Sequence, residues 1–342
     1  MYTVIQMYTL YLTMLFLATS HGLSMCNVWK LGSMKSTVRH WFIQRAQEAG
    51  ISWTYIVAKY TDPYVIQTLK RHKETLENPA IHYPGYYLKP FHGYDAGNLE
   101  WQAAIECEAA TYSISVGYWK NVHYQVASNW LRYNVTKCIN AYRKAHQIDE
   151  SVETIVDIGC SIGVSTECLV NAFRNAYVIG VDLSPYYLAV ATHRAHQNGN
   201  PVHYVHANAE NIPIDDETVN LVTVSFMFHE MPIDARKEVL CEAYRILKPN
   251  GVLAILDIDP IRIGKQLYNN PFRKWAFDTT EPHIHNYYKH DMQTSMMECG
   301  FDHIVEKEND PVNKVWIAKK NVPKIQPLTV PAPSPLFAME VV

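Results

Sequence analysis

The chain has 342 residues, of which 48% are hydrophobic, and a net charge of −3. That length allows one large domain with an extension or two modest domains, and the near-neutral charge offers no global basic field for nucleic acid or an anionic membrane. The seven cysteines (Cys26, Cys107, Cys138, Cys160, Cys168, Cys241 and Cys299) contain no C-x-x-C pair. They read as neither a disulfide framework nor a zinc site, and a reducing environment suits them. The 16 histidines are equally dispersed, and no metal site is expected from them.

From Met1 to Trp29 there is no Lys, Arg, Asp or Glu, and residues 8–18 (YTLYLTMLFLA) form a short apolar core followed by Ala18-Thr19-Ser20. This pattern resembles a signal-peptide core without the usual basic start. Lys30, Lys35, Arg39 and Arg45 then precede the first acid, Glu48. A signal-like segment ahead of a basic, acid-poor stretch predicts an organelle presequence over residues 1–50, with a plastid favoured. The alternatives are a membrane anchor, which would allow membrane association or passage into the secretory pathway, and a helix packed on the domain.

Residues 51–150 read as an N-terminal helical and aromatic cap. Within it, 80–98 (AIHYPGYYLKPFHGYDAGN) is rich in Pro, Gly and aromatics and predicts an ordered loop. Over 99–146, Val122, Val126, Leu131, Val135, Ile139 and Tyr142 recur at roughly helical spacing.

From residue 153 the pattern alternates. Strands are predicted at TIVDIG, AYVIGVDL (176–183), VHYVHA, VNLVTVSF (219–226) and VLAILDI. Helices are predicted between them, over about Val164–Arg174, from Ser184-Pro185 to Asn198-Gly199, over Ile233–Leu247 and over 288–299. Two strands, HIVEKE and KVWIAK, close the domain, and NDPVN between them is too short for a crossover helix, so the last strand should be antiparallel. The fold class is therefore α/β: a Rossmann-like, seven-stranded, mostly parallel sheet with an antiparallel last strand, over residues 151–320. The tail over 321–342 contains VPKIQPLTVPAPSPLFAMEVV and predicts an extended segment.

In an open α/β sheet, ligands sit beyond the carboxyl ends of the strands. The first strand runs into VDIGCSIG, with Asp157, Gly159 and Gly163, and the second ends at Asp182. An acid there is placed to accept from two ribose hydroxyls. The dinucleotide fingerprint G-x-G-x-x-G serves a pyrophosphate; here Ser161 occupies the middle glycine and Asp157 precedes the first. An acid would repel a pyrophosphate and suits a cationic sulfonium with an amino group.

Five segments in order, VDIGCSIG, VIGVDLSP, HANAENIP, VNLVTVSFMFHEMP and LKPNGVLAILD, resemble the class I S-adenosylmethionine (SAM) methyltransferases over residues 154–257. The similarity is to the ubiquinone/menaquinone-biosynthesis branch. It implies SAM as cofactor, with Asp157, Gly159 and Gly163 bordering its methionine part and Ser161 among the cofactor-binding residues. It also implies Asp182 on the ribose, Leu183 against the adenine, Asn208 and Ala209 at the adenine edge, and Ser225 beneath the cofactor. Two positions depart from the family pattern: Ser161 replaces a glycine, and Asn208 stands where an acid is common.

His229, followed by Glu230, ends the fourth-strand motif and is the candidate catalytic base. The other reading is that it orders the following loop. The segment YYLKPFHGYDAGNLEWQAAIE and the insert TTEPHIHNYYKHDM (279–292) resemble regions of plant, algal and cyanobacterial methyltransferases of unassigned substrate. They are expected to close over the cofactor, with Tyr87, His92, Tyr94 and Glu281 as candidate acceptor residues. Aromatic walls favour a small aromatic or lipophilic acceptor. The competing class is a SAM-binding assembly or regulatory protein without turnover.

Overall fold

Parallel strands buried on both faces carry continuous apolar runs, and the computed structural model places them as such. It describes residues 39–40, 43–44, 46–90, 92–116, 118–119, 121–262 and 281–321. The expected presequence core and nearly all of the proline-rich tail lie outside the described residues. No described helix is long and apolar enough to cross a membrane.

The sheet contains β1 Thr154–Ile158, β2 Tyr177–Asp182, β3 Val202–His206, β4 Val219–Ser225, β5 Leu247–Ile258, β6 Phe301–Glu308 and β7 Asn313–Lys320. Their spatial order is β3-β2-β1-β4-β5-β7-β6. β7 is antiparallel to both neighbours and the remaining pairings are parallel. The NDPVN turn closes the hairpin through Asp310, whose carboxylate accepts from Val312 N and from Asn313 N and Nδ2, each at 2.9 Å.

Alternation along the strands divides the core. Val156, Ile158, Val181, Val222, Val224, Leu253 and Ile255 face one layer. That layer contains α7 (Ile233–Ile246), α8 (Ile284–Tyr288) and α9 (Met292–Glu298). Ile155, Val178, Leu221, Val252, Ala254, Leu256, Val315 and Ile317 face the other, against Leu131, Val135, Ile139 and Tyr142 of α4 (Tyr124–Ala145) and Leu169 of α5 (Val164–Ala172). The C-terminal half of the expected cap, α4, is thus a sheet-covering helix.

The remaining cap comprises α1 Trp53–Thr61, α2 Pro63–Leu76 and α3 Trp101–Ser115. It packs Trp53, Ile56, Tyr60, Leu69, Ala104 and Ala109 against Tyr187 and Val190 of α6 (Pro185–Asn198). A charged core ties it down: Arg194 of α6 pairs with Glu108 of α3 and Glu167 of α5, each at 3.2 Å, and Tyr60 donates to Glu108.

Several sequence expectations are corrected. The presequence boundary at residue 50 falls inside packed structure: Ala46 and Ile51 are each 1% exposed, and Arg39 pairs with Glu106 of α3. The helical stretch 99–146 is two helices, ending at Ser115 and restarting at Tyr124. The helix expected over 288–299 breaks because Asp291 caps a new one, accepting from Gln293 N and Thr294 N. β5 begins at Leu247, which pairs with Val219 before the chain bulges across Asn250 (φ 62°). Cys241 and Cys299 form a disulfide between α7 and the end of α9, contrary to the all-reduced reading, because the two helices pack side by side with Cα atoms 4.9 Å apart. Their separation of 58 residues hides that contact from the sequence.

Candidate active site

The turn after β1 lies at the carboxyl edge of the sheet. Gly159 (φ 68°), Ser161 (φ 51°) and Gly163 (φ 81°) all adopt left-handed backbone. Gly163 has a steric reason as well: a Cβ there would lie 2.3 Å from Tyr204 Oη. Ser161 is the costly member, because a Cβ disfavours this conformation. Its backbone N–H donates to Asp182 Oδ2 at 2.7 Å, and its hydroxyl meets Cys107 Sγ of α3 at 3.3 Å. Asp182 Oδ1 also accepts from Ser184 N at 2.8 Å. A carboxylate offers about four lone-pair positions. Asp182 therefore anchors the turn and keeps capacity for two further donors on its cavity side. Burial pushes its carboxyl up to about 6, so it is ionised at neutral pH.

Asp157 is placed differently from the expectation. It is 1% exposed, stands behind the turn and is absent from the cavity wall. Thr166 Oγ1 donates to one carboxylate oxygen at 2.6 Å and Thr223 Oγ1 to the other at 2.7 Å. It pins α5 and β4 to β1 from below, and burial raises its carboxyl to about 6. Gly163 is likewise behind the wall.

A cavity of about 570 Å³ opens along this edge. Gly159, Ser161, Asp182 and Leu183 line it together with Asn208 and Ala209 after β3 and Ser225 at the end of β4. Asn208 Oδ1 accepts from Glu210 N at 3.1 Å, which fixes the amide. The segment 83–98 lies over this edge. Ser184 Oγ donates to Asn98 O (2.6 Å), Tyr187 Oη to Asn98 Oδ1 (3.0 Å), and Asn78 N to His206 Nδ1 (2.9 Å).

At one end of the cavity the predicted catalytic and acceptor residues converge. His229 lies on a single 3₁₀ turn, Phe228–Glu230, directly after β4. Its Nδ1 lies 2.7 Å from Asp257 Oδ1, near the end of β5. Asp257 is fully buried and also accepts from Phe228 N (2.9 Å), His229 N (3.3 Å) and Ile258 N (2.7 Å). His229 Nε2 faces Glu230 Oε1 at 3.9 Å. His92 Nε2 sits between Glu230 Oε1 (3.4 Å) and Glu281 Oε1 (3.2 Å), which joins the aromatic loop to the insert. Glu281 Oε2 is buried and accepts no hydrogen bond among the described residues. Burial opposes charge on every member, and their mutual pairing decides the outcome. His229 is raised to about 9, chiefly by Asp257 working against desolvation, and Glu230 is raised to about 7 by desolvation. His92 is raised by Glu281 and Glu230 against its desolvation. Among the described residues no group of three or more His, Cys, Asp or Glu is arranged to hold a metal ion.

Tyr87 is partly buried; its hydroxyl lies in the field of both Asp182 and Glu230, and desolvation raises it well above the usual tyrosine range. Tyr94 departs from the acceptor reading: its hydroxyl donates to Glu106 at 2.8 Å, within the Arg39 ion pair. Sequence reasoning missed Asp257, although an acid near the end of a buried strand, in AILDID, is the same signal that marked Asp182. It also missed Arg132 of α4, which reaches the cavity from a helix read as cap.

The family described as "Methyltransferase domain" matches residues 156–255. This segment is a class I SAM-dependent methyltransferase domain. The chain is 31% identical over 113 residues to the demethylmenaquinone methyltransferase of Thermus thermophilus, covering 33% of this chain and 50% of that protein. It is 27% identical over 177 residues to the phthiotriol/phenolphthiotriol dimycocerosates methyltransferase of Mycobacterium leprae, covering 52% and 61%. Among solved structures, phosphoethanolamine N-methyltransferase 2 of Haemonchus contortus in complex with SAM aligns with a TM-score of 0.40 at 16% identity, over 51% of this chain and 50% of that one. The chain spans about half the length of the curated relatives it matches.

Proposed function

We propose that the protein transfers the methyl group of SAM to an oxygen or nitrogen of a small aromatic or lipophilic acceptor, seated between Tyr87 and the His92–Glu230–Glu281 cluster. The observation that carries this reading is one cavity that joins the Asp182 end, suited to a nucleoside, to a set of paired acids and histidines at the end of β4. The residues fit SAM: Asp182 keeps acceptor capacity for two hydroxyls, and Leu183 and Ala209 give apolar walls for a base. When bound, SAM supplies an electrophilic methyl carbon on a cationic sulfur. Asp182, Leu183 and Ala209 would hold it, and the proton of the acceptor atom that takes the methyl group would pass to a base at the other end of the cavity.

His229 does not suit the role of proton acceptor in this arrangement. Asp257 holds its proton well above neutral pH, so it acts as a donor that steadies negative charge next to it. Glu230, raised to about 7, is half-ionised near neutral pH and is the better base, since general-base catalysis is most effective when the pKa lies close to the working pH. His92 orients it. Enclosure by the 83–98 segment excludes water and aligns the reactants.

Incubating the protein with methyl-labelled SAM and fractionated small-molecule extracts tests the reading; label should appear in an apolar small product. SAM binding without transfer to any fraction would favour the alternative, a non-catalytic SAM-binding protein. The N-terminal segment completes the proposal as an organelle presequence: a fluorescent fusion of residues 1–50 should leave the cytosol, and a diffuse signal counts against it.

A further inference from the structure

Helix α4 covers the sheet with one face, through Leu131, Val135, Ile139 and Tyr142, and turns the opposite face to solvent. On that outer face Val126, Trp130, Tyr133, Lys137 and Lys144 fall on one line, at the i, i+4, i+7 spacing of a helix. Val126 is 41% exposed, Trp130 44% and Tyr133 58%, and both lysines are exposed. Lys137 Nζ lies 5.7 Å from the centre of the Tyr133 ring. Single exposed apolar residues are ordinary, but an unbroken stripe of them marks a surface that another phase or molecule covers.

The stripe is joined to the cavity. Trp130 meets Trp119 edge-on, with ring centres 5.9 Å apart, and Trp119 meets Tyr118 at the same distance. Tyr118 lines the cavity, as does Ile114 at the end of α3, which is 44% exposed. The cavity thus reaches the surface next to these rings. Charge on the outer face has one sign. The whole chain carries −3, yet residues 109–148 contain no Asp or Glu. Lys307 of β6 acts on Cys138 together with Lys137 and adds to the same field. Glu150 and Asp302 act only at the last turn, on Arg143 and Tyr142.

We propose that the outer face of α4 docks on the surface of an anionic phospholipid bilayer, with the cavity mouth at Ile114 and Tyr118 turned toward the lipid. Tryptophan and tyrosine suit the headgroup boundary, where the ring is buried and its polar tip stays wet, and lysines on the same helix reach the anionic headgroups. A second copy of the chain is a poorer occupant. A two-fold contact sets the stripe against itself and brings its lysines together with no acid between them. Docking at the bilayer needs no reading of the chemistry. Entry of an apolar acceptor from the lipid into the cavity rests on the methyl-transfer reading above.

The test is co-sedimentation of the full chain with vesicles of phosphatidylcholine, alone or mixed with phosphatidylglycerol, without SAM or acceptor. Failure of the methyl-transfer reading therefore leaves the result standing. Wild type should partition more strongly onto the mixed vesicles, and added salt should weaken that preference. A basic residue near an anionic surface corresponds to roughly fivefold in partitioning, so Lys137→Gln with Lys144→Gln should lower binding to mixed vesicles by roughly 25-fold and leave phosphatidylcholine binding alone. Trp130→Ser with Tyr133→Ser should lower binding to both vesicles by at least roughly tenfold. Melting temperatures should not move, because all four side chains are exposed. Should the serine variant not fold, the lysine pair decides. Wild type that binds neither vesicle overturns the proposal. So does binding that both variants retain, which places the contact elsewhere on the chain, residues 1–38 included. A wild-type dimer that the serine pair splits, with no vesicle binding, makes the face an interface between copies and overturns it as well.

Discussion

Asp257→Asn isolates the electrostatic hinge of the site. The wild-type carboxylate accepts four hydrogen bonds, from His229 Nδ1, Phe228 N, His229 N and Ile258 N, with no exposure to water. The amide is nearly isosteric but has only one acceptor atom. If its oxygen faces His229 Nδ1 and Ile258 N, its NH2 opposes the N–H groups of Phe228 and His229. Two buried donors then lose their partner, at about 1–3 kcal/mol each. The His229 charge also loses its counter-ion. Its pKa of about 9 against an ordinary 6.5 corresponds to about 3 kcal/mol favouring the protonated form. The sum overestimates the loss, because a neutral His229 escapes the unpaired-charge penalty; breaking a buried pair costs about 3–5 kcal/mol overall. Because the folded pKa is raised, wild-type His229 contributes its stability fully below about 6.5 and loses it as pH rises through about 9. Asp257→Asn should unfold in urea with a stability about 3–5 kcal/mol lower near pH 6. That difference should narrow above pH 9. Proton NMR of the His229 ring should show its titration falling to 6.5 or below, since burial persists without the acid. A variant whose His229 still titrates near 9, or whose stability falls by less than about 1 kcal/mol, would refute the pairing.

Asp182→Ala should weaken SAM by at least roughly tenfold in calorimetry, by removing acceptors for two hydroxyls and releasing Ser161 N; unchanged affinity would remove Asp182 from the site. Gly163→Ala forces a Cβ to within 2.3 Å of Tyr204 Oη at φ 81°, so urea unfolding should show a loss above about 2 kcal/mol. Adding Tyr204→Phe should recover part of that loss, and no recovery would mean the backbone term dominates. With an acceptor in hand, turnover should rise with pH through about 7 as Glu230 ionises and fall through about 9 as His229 loses its proton. Glu230→Gln should abolish the rising limb, and its persistence would assign the base elsewhere.

The fold was largely legible because each element announces itself locally. Ser184 and Pro185 open α6, with Ser184 Oγ accepting from Tyr187 N at 3.2 Å, and Gly199 closes it at φ 66°. The short NDPVN link forced the antiparallel ending that β7 has. The errors come where tertiary pairing overrides local pattern. Leu247 extends β5 because Val219 lies beside it, and Arg39 reads as part of a presequence until Glu106, 67 residues beyond it, appears as a partner.

The same distinction governs the site. Strand ends are visible in sequence, so Gly159, Ser161, Asp182, Leu183, Asn208, Ala209, Ser225 and His229 were singled out, and all of them line the cavity. What a strand-end residue does there depends on which group faces it across the sheet, and no spacing rule contains that. Asp157 looked like a ligand group until two threonines, one on α5 and one on β4, took its oxygens. His229, read as a candidate base, has its Nδ1 2.7 Å from Asp257 Oδ1 of β5. In both cases a buried acid decided the chemistry of its neighbours, because at low dielectric a committed hydrogen bond fixes which atoms remain for a ligand. The elements that complete the cavity, α3, α4 and the 83–98 segment, lie outside the matched domain. The matched segment supplies the strand ends at the Asp182 side of the cavity, while Tyr87, His92 and Arg132 come from the chain ahead of it. Acceptor choice should therefore follow the N-terminal region: exchanging residues 83–98 between relatives should move substrate preference and leave Asp182-dependent SAM binding in place.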